Sequence, residues 1–379
     1  MRAVTDGRLE LTGEVRRHLD LCLDCRACET ACPSGVQYGK LIEPFRIEME
    51  KTRPDKDRLG VLQRFLLFHV TPYARRMRLA LVPARLMQRT GIDGALQASG
   101  LLRWLPQSLQ QLHEMLPPLA KREKLPAFLP AEGKRRATVA LFTGCASAAF
   151  FPETNVATAR VLQKNGCNVI VPRDQGCCGA LHYHAARPAR ARELATTNIR
   201  SFCGQKIDAI IVNAAGCGAV MKEYGHLFAD LPGSTGLAKK VRDISEFLVE
   251  LGPIKPAHPL PIKAVYHDAC HLCHAQQIRK QPRALLELIP GLEVVPLPES
   301  ELCCGAAGSY NLTEPEMAER LGLRKAEHIL ATGASAIFAG NVGCLLQIGK
   351  HVRRRMPGMW IAHPVDALWA AYTGAKSRA

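Results

Sequence analysis

From residue 137 onward the chain alternates short uninterrupted apolar runs with longer stretches of helical spacing. Thr138-Val-Ala-Leu-Phe142, Ala209-Ile-Ile-Val212, Ala264-Val-Tyr266 and Ala336-Ile-Phe338 have the pattern of strands buried on both faces. Residues 189–202 and 316–332 carry apolar positions at helical spacing and separate those strands. Buried strands alternating with helices predict a small α/β unit, and the pattern occurs twice.

Residues 51–136 read differently. Leu62, Phe65 and Leu66, then Leu79, Leu86 and Met87, recur at helical spacing, and Pro72, Pro83, Pro106, Pro117 and Pro118 cut the segment into several short amphipathic helices. Here 17 Lys or Arg face 6 Asp or Glu, a net +11 of the whole chain's +16. The simplest expectation is a helical spacer that packs on its neighbours and solvates its arginines. Docking on an acidic partner subunit or an anionic membrane surface is the alternative. Nucleic acid is excluded as a partner, because no recognisable DNA- or RNA-binding motif accompanies the charge. The run from Lys121, Arg122 and Lys124 to Lys134, Arg135 and Arg136, with Pro126 and Pro130 between, predicts a linker into the next domain.

The chain has 379 residues, 47% hydrophobic and 22% charged, which suits two or three folded domains and excludes wholesale disorder. Its opening residues are polar rather than a signal peptide, so the expected location is the cytoplasm. Arginines or prolines interrupt every candidate spanning run, which leaves peripheral contact at the inner face of the cytoplasmic membrane as the alternative. Fifteen cysteines are the outlier. A chain of this size needs no disulfides for want of a core, and a reducing compartment makes metal ligation the better reading.

The first cysteine set is Cys22-Leu-Asp-Cys25-Arg-Ala-Cys28-Glu-Thr-Ala-Cys32-Pro33, the C-x2-C-x2-C-x3-C-P spacing of bacterial-type [4Fe–4S] binding. Two-residue gaps let a tight loop wrap three thiolates around one cluster while backbone N–H groups face the sulfides. Zinc would normally show two separated C-x2-C pairs. In two-cluster versions the fourth cysteine serves the other cluster, so Cys22, Cys25 and Cys28 are expected to hold a cluster lacking its fourth thiolate. Cys32 is then expected to point elsewhere. Arg26, inside the loop, is read as a solvated surface charge, or else as a cation folded over the cluster that raises its potential.

The remaining sets form an internal repeat. Cys145, Cys177-Cys178-Gly179 and Cys217 recur as Cys270, Cys303-Cys304-Gly305 and Cys344, at offsets of 125, 126, 126 and 127 residues. Gly166-Cys-Asn-Val-Ile-Val-Pro172 likewise matches Gly291-Leu-Glu-Val-Val-Pro296. The spaced cysteines follow strand ends, where ligands of parallel sheets collect, with the vicinal pair on a turn beside them. Four convergent thiolates could hold an iron–sulfur cluster, zinc or a redox dithiol. A vicinal pair spans wide tetrahedral angles poorly, which favours a multi-iron group. Cys167, Cys203 and Cys273 fall outside the repeat and are expected to be small buried apolar residues. His267, His271 and His274 have the spacing of one helical face near Cys270; they and His182 and His184 are read as packing and polar contacts before metal ligands. The chain shows no G-x-G-x-x-G, P-loop or nucleophile elbow.

The stretches His18-Leu-Asp-Leu-Cys22 through Cys32-Pro-Ser-Gly-Val36, Tyr266-His-Asp-Ala-Cys270-His-Leu272, Pro282-Arg-Ala-Leu-Leu286, Cys303-Cys-Gly305 with Tyr310-Asn-Leu312, and Gly340-Asn-Val-Gly-Cys344 resemble the iron–sulfur subunit family of glycolate oxidase. That family is related to cysteine-rich subunits of heterodisulfide reductase, lactate-utilisation proteins and anaerobic glycerol-3-phosphate dehydrogenase. The resemblance implies four parts: a ferredoxin-type segment (1–50), a basic helical region and linker (51–136), and two duplicated α/β cysteine-rich domains (137–257 and 258–379). It implies flavin-binding partner subunits that oxidise glycolate to glyoxylate, with no catalytic residue on this chain. Electrons would pass singly through a [4Fe–4S] cluster, and through further iron–sulfur clusters on the repeats, toward a quinone-type acceptor. Family members usually carry two ferredoxin motifs, and Met1–Arg8 resembles the segment between them, so the chain is expected to begin one motif late. Each repeat also has Ala214 or Asn341 where heterodisulfide-reductase-type domains have the first cysteine of a C-x-x-C. Lactate, glycerol 3-phosphate or heterodisulfide chemistry remains an alternative assignment, and a zinc-stabilised binding protein is the alternative of another class.

Overall fold

The computed structural model describes residues 1–54, 60–104, 107–120 and 123–374; Pro106, Lys121 and Arg122 lie outside these. The fold is mixed α/β, with two parallel sheets built from the duplicated segments. In the first repeat β1 is Phe128–Leu129, β2 Ala137–Phe142, β3 Cys167–Ile170, β4 Ala209–Val212 and β5 Val241–Asp243. In the second, β6 is Lys263–His267, β7 Glu293–Val295, β8 Ala336–Ala339 and β9 Trp360–Ala362. The orders β3-β2-β4-β5 and β7-β6-β8-β9 are the same, and every pairing among these eight strands is parallel. Register follows the duplication: Phe142 pairs with Val212 as His267 pairs with Ala339. The strand order reverses direction at β2 and at β6, which opens a crevice at their carboxyl ends.

The expected strands and helices form; the helices begin one residue earlier, at Pro188–Phe202 and Pro315–Ala331, the second also ending one residue earlier, each opened by a proline at its first position. The segment read as a linker also contributes an element. Its Phe128–Leu129 pairs antiparallel with β3 and buries Leu129 on the sheet edge. Two apolar residues with a sheet edge within reach gain more from pairing than from remaining in solvent.

The repeats meet as a two-fold pair. The helix Pro152–Lys164 of the first packs on Pro364–Thr373 of the second, and Gln281–Glu287 of the second packs on Ile244–Leu251 of the first. One apolar core runs through the contact, from Val139, Leu162 and Ile211 to Leu286, Phe338 and Leu368. Thr154 Oγ1 donates to Asp366 Oδ2 across it at 2.9 Å.

The basic region is helical as expected, but its packing differs. Leu62, Phe65, Leu79 and Leu86 are exposed, whereas Leu67, Phe68, Met77 and Leu81 are buried. Residues Leu66–Val70 form a π-helical turn, whose wider winding rotates the following residues and shifts the buried face. Helices with apolar residues all round can bury only one side. Among the described residues, no helix is long and apolar enough to cross a membrane.

Candidate metal centres

Each repeat gathers its four cysteines at the carboxyl end of its sheet. Cys145 follows β2 and caps the helix Ala146–Phe150; Cys217 lies in the helix Ala215–Lys222 after β4. The vicinal pair sits on a turn that only glycine can close. Gly179 has φ +85°, and a Cβ there would stand 3.0 Å from the Ala191 carbonyl oxygen. Gly305 repeats this with φ +86° and 2.7 Å to the Ala318 carbonyl oxygen. The turn also aims backbone donors inward: Gly179 N–H meets Cys177 Sγ at 3.5 Å, and Gly305 N–H meets Cys303 Sγ at 3.4 Å.

Cys145 Sγ lies 3.5 Å from Cys177 Sγ, and Cys178 meets both Cys177 and Cys217. The second repeat forms the same chain of thiols, Cys270 to Cys303 to Cys304 to Cys344. The hydrogen bond to Cys177 and burial push the Cys145 thiol well up; Cys303 and burial do the same to Cys270. Each repeat's four thiols in a chain of contacts, with Cys177, Cys178, Cys303, Cys304 and Cys344 buried and Cys145, Cys217 and Cys270 half-buried, are a set of soft donors poised to exchange protons for metal, and they fit an iron–sulfur group.

Behind the cysteines the repeats diverge. In the first, Asn198 accepts from Gly176 N–H at 2.9 Å and donates to the Cys177 carbonyl at 2.8 Å, while Tyr224 Oη–H donates to the Cys178 carbonyl at 2.6 Å. The helix position of Asn198 is taken in the second repeat by Lys325, which is buried and donates to the carbonyls of Glu299 and Ser300. Burial lowers the Lys325 pKa, and the nearby Cys304 and Cys344 partly restore it. Phe142 at the end of β2 stacks obliquely on Phe202, with centroids 6.3 Å apart. Its counterpart is His267, fully buried, whose ring nitrogen lies with the sulfurs of Cys304 and Cys344 inside a 4.8 Å group. Burial and the Lys325 charge hold His267 down to about 3, so its ring is neutral near pH 7.

The N-terminal cysteine loop lodges between the repeats, meeting Glu223 of the first and His271 of the second. Arg26, with φ 59°, is buried and not solvated: its guanidinium pairs with Glu223 of the first repeat, Nη2 to Oε2 at 3.1 Å, and lies 3.6 Å from Glu43. It lies flat against Gly39, where a Cβ would stand 2.6 Å from its Nε. The surface reading of Arg26 therefore fails, because two carboxylates distant in sequence compensate its burial. His184 Nδ1 sits 2.7 Å from Glu43 Oε1 and 3.4 Å from Asp24 Oδ2. Burial opposes the His184 charge, yet these two carboxylates push it up to about 10. On the other side, His271 Nε2 meets the Asp24 carbonyl at 3.1 Å, Tyr310 Oη–H donates to the Leu21 carbonyl at 3.0 Å, and Thr30 Oγ1 meets His274 Nδ1 at 3.0 Å.

Within the loop, burial pushes the Cys25 thiol up to about 11, reinforced by Cys270, Cys22 and Cys28. The loop meets the second repeat at His271, the residue after Cys270. Cys28 is exposed; the N–H groups of Val36, Ser34 and Gly35 lower the Cys32 thiol from its own side of the loop. A cleft of about 970 Å³ opens beside Cys22, Asp24, His184, His271 and Tyr310.

Of the cysteines outside the repeats, Cys167 and Cys273 are buried as expected, but Cys203 is exposed just after the helix Pro188–Phe202. The three histidines do not share a helical face. His267 ends β6, and only His271 and His274 lie on the π-helical turn His271–Ala275. His182 packs on Phe68. Lys325, Asn198 and Glu223 were not singled out in the sequence; aligning the repeats residue by residue exposes the first two, and nothing local exposes Glu223.

Two family profiles match the chain. One, described as a cysteine-rich domain, matches residues 139–222 and again 264–349. The other, described as the linker region of the glycolate oxidase iron–sulfur subunit, matches residues 58–116. The chain is 39% identical over 365 residues to the probable glycolate oxidase iron–sulfur subunit of Bacillus subtilis (strain 168), covering 93% of this chain and 82% of that one. It is 33% identical over 361 residues to the glycolate oxidase iron–sulfur subunit of Escherichia coli (strain K12), covering 91% and 80%. Lactate utilization protein A of Shouchella clausii (strain KSM-K16) is 32% identical over 235 residues, 61% of this chain and 98% of that one.

Proposed function

The chain belongs to the family of glycolate oxidase iron–sulfur subunits, and we propose that it is the electron-transfer subunit of a flavin-dependent complex oxidising glycolate to glyoxylate. Iron–sulfur clusters supply one-electron redox steps that split the pair taken from the substrate. Cys22, Cys25 and Cys28, with Cys32 in the same loop, would hold a [4Fe–4S] cluster. Cys145, Cys177, Cys178 and Cys217 would hold a second iron–sulfur centre, and Cys270, Cys303, Cys304 and Cys344 a third. The chain's own work is to bind these groups, keep water from the two buried sets and hold the first loop against both repeats. The parts proposed for this are 1–50, 51–136, 137–257 and 258–379.

The observation that carries the reading is the clustering of each repeat's four thiols at the carboxyl end of its sheet, with the N-terminal cysteine loop packed against both repeats through Arg26–Glu223 and His271–Asp24. Glycolate is favoured over lactate because relatives named for glycolate oxidase align along nearly the whole chain, basic region included, whereas those named for lactate utilisation align with 61% of it. Coexpression with flavoprotein partners, followed by anaerobic addition of substrate, should bleach the cluster absorbance with glycolate. Bleaching by lactate alone would reassign the substrate, and zinc without sulfide in the purified protein would remove the electron carrier altogether.

The acceptor is proposed to be a quinone, reached at an anionic membrane surface. The basic region supplies the contact: Val61, Leu62, Phe65, Leu79 and Leu86 are exposed among its arginines. The full chain should float with phosphatidylglycerol vesicles and lose that binding when Phe65 and Leu86 become serine. Equal flotation with neutral vesicles would refute the electrostatic half of this contact.

A further inference from the structure

The four thiols at the end of each sheet are matched one for one, yet the residue that closes the strand beneath them is not. In the first repeat it is Phe142, whose ring fills the core against Phe202. In the second it is His267, at the same register position. An imidazole gains nothing as filler there. It is wholly buried, and among the described residues neither ring nitrogen meets a hydrogen-bond partner in good geometry. The Ser300 carbonyl lies beside the ring but out of hydrogen-bond geometry with it, and already accepts from Asp268 N–H at 3.1 Å and Lys325 Nζ at 3.5 Å. A buried, unpartnered polar group is costly unless something completes it. What faces it are sulfurs, with one ring nitrogen inside the 4.8 Å group formed with Cys304 and Cys344.

We propose that His267 is a metal ligand, so that the centre of the second repeat is held by four thiolates and one imidazole while that of the first is held by thiolates alone. This rests on the reading that the second repeat binds an iron–sulfur centre. Imidazole is neutral where thiolate is anionic, and it binds iron and zinc alike. The imidazole adds a neutral nitrogen donor to four thiolates, so the two centres keep the same thiolate charge and differ in their donor set. Lys325, buried beside the same thiols where the first repeat has Asn198, is a second difference between the two sites.

The test is pulsed electron paramagnetic resonance on the full chain, reduced under anaerobic conditions and labelled with histidine carrying ¹⁵N in the imidazole ring only, so that backbone amides, that of His271 beside Cys270 included, do not contribute. The expected result is a strong ¹⁵N coupling that disappears in His267→Phe. Phe142→His provides the reciprocal reading in a chain that keeps His267, and a second histidine-coupled centre is expected. A coupling unchanged in His267→Phe, or absent from the wild type while iron is bound, overturns the assignment. Iron and sulfide analysis of the double variant Cys303→Ser, Cys304→Ser separates the two levels. Iron unchanged there would sink the reading of the second repeat as a cluster site, whereas iron lost there with no histidine coupling in the wild type would sink His267 alone.

Discussion

The two repeats hold the N-terminal cysteine loop by different physics. The first grips it with charge: Arg26 against Glu223 and Glu43, and His184 between Glu43 and Asp24, all withdrawn from water. The second holds it with hydrogen bonds from Tyr310 and His271 to backbone carbonyls and from Thr30 to His274. Buried ion pairs are strong only while both partners remain, whereas a single neutral hydrogen bond contributes little net. The difference teaches that the first repeat anchors the loop, while the second meets it next to Cys270 through neutral contacts.

Removing the anchor is the sharpest way to break this comparison. His184→Ala leaves Asp24 and Glu43 buried side by side without their shared cation, and should cost about 3 kcal/mol of stability at neutral pH in a denaturant melt. The pH dependence has a definite sign. His184 is raised from 6.5 to about 10 in the folded chain, so its contribution is fully present below about pH 6.5 and is lost as pH rises through 10. The gap between wild type and variant should therefore narrow in alkali; a gap that stayed constant above pH 10 would mean that packing, not charge, holds the loop. The smaller effect belongs to the other side. Tyr310→Phe removes one hydrogen bond to the Leu21 carbonyl and should cost about 1 kcal/mol, with no change in pH profile. A loss equal to that of His184→Ala would erase the distinction between the two grips.

Much of this architecture is legible in the sequence, because parallel strands buried on both faces read as continuous apolar runs and the cysteine offsets align one repeat on the other. The convergence of each cysteine set follows from the same logic, since strand ends in a parallel sheet share one edge. What the sequence hides is of two kinds. Arg26 finds its partner 197 residues away, and no local pattern marks Glu223 as that partner. His267 is hidden by a coincidence of spacing: with His271 and His274 it imitates a helical face, although the strand runs through His267 and the helical turn begins only at His271. In the basic region Leu62 and Phe65, Leu79, and Leu86 belong to three separate short helices, Val61–Phe65, Ala74–Ala80 and Val82–Thr90, and spacing alone does not mark which side of so short a helix meets the rest of the protein.

The reciprocal packing of the repeats, helix Pro152–Lys164 on Pro364–Thr373 and Gln281–Glu287 on Ile244–Leu251, is the geometry by which two copies of one subunit form a closed dimer. In such a dimer every substitution would appear twice, and both centres would have to be the same. Joined in one polypeptide, the halves keep the interface but escape the symmetry. A histidine at one strand end no longer requires a histidine at the other, and a single loop, for which two-fold symmetry has no unique place, can settle asymmetrically across the axis.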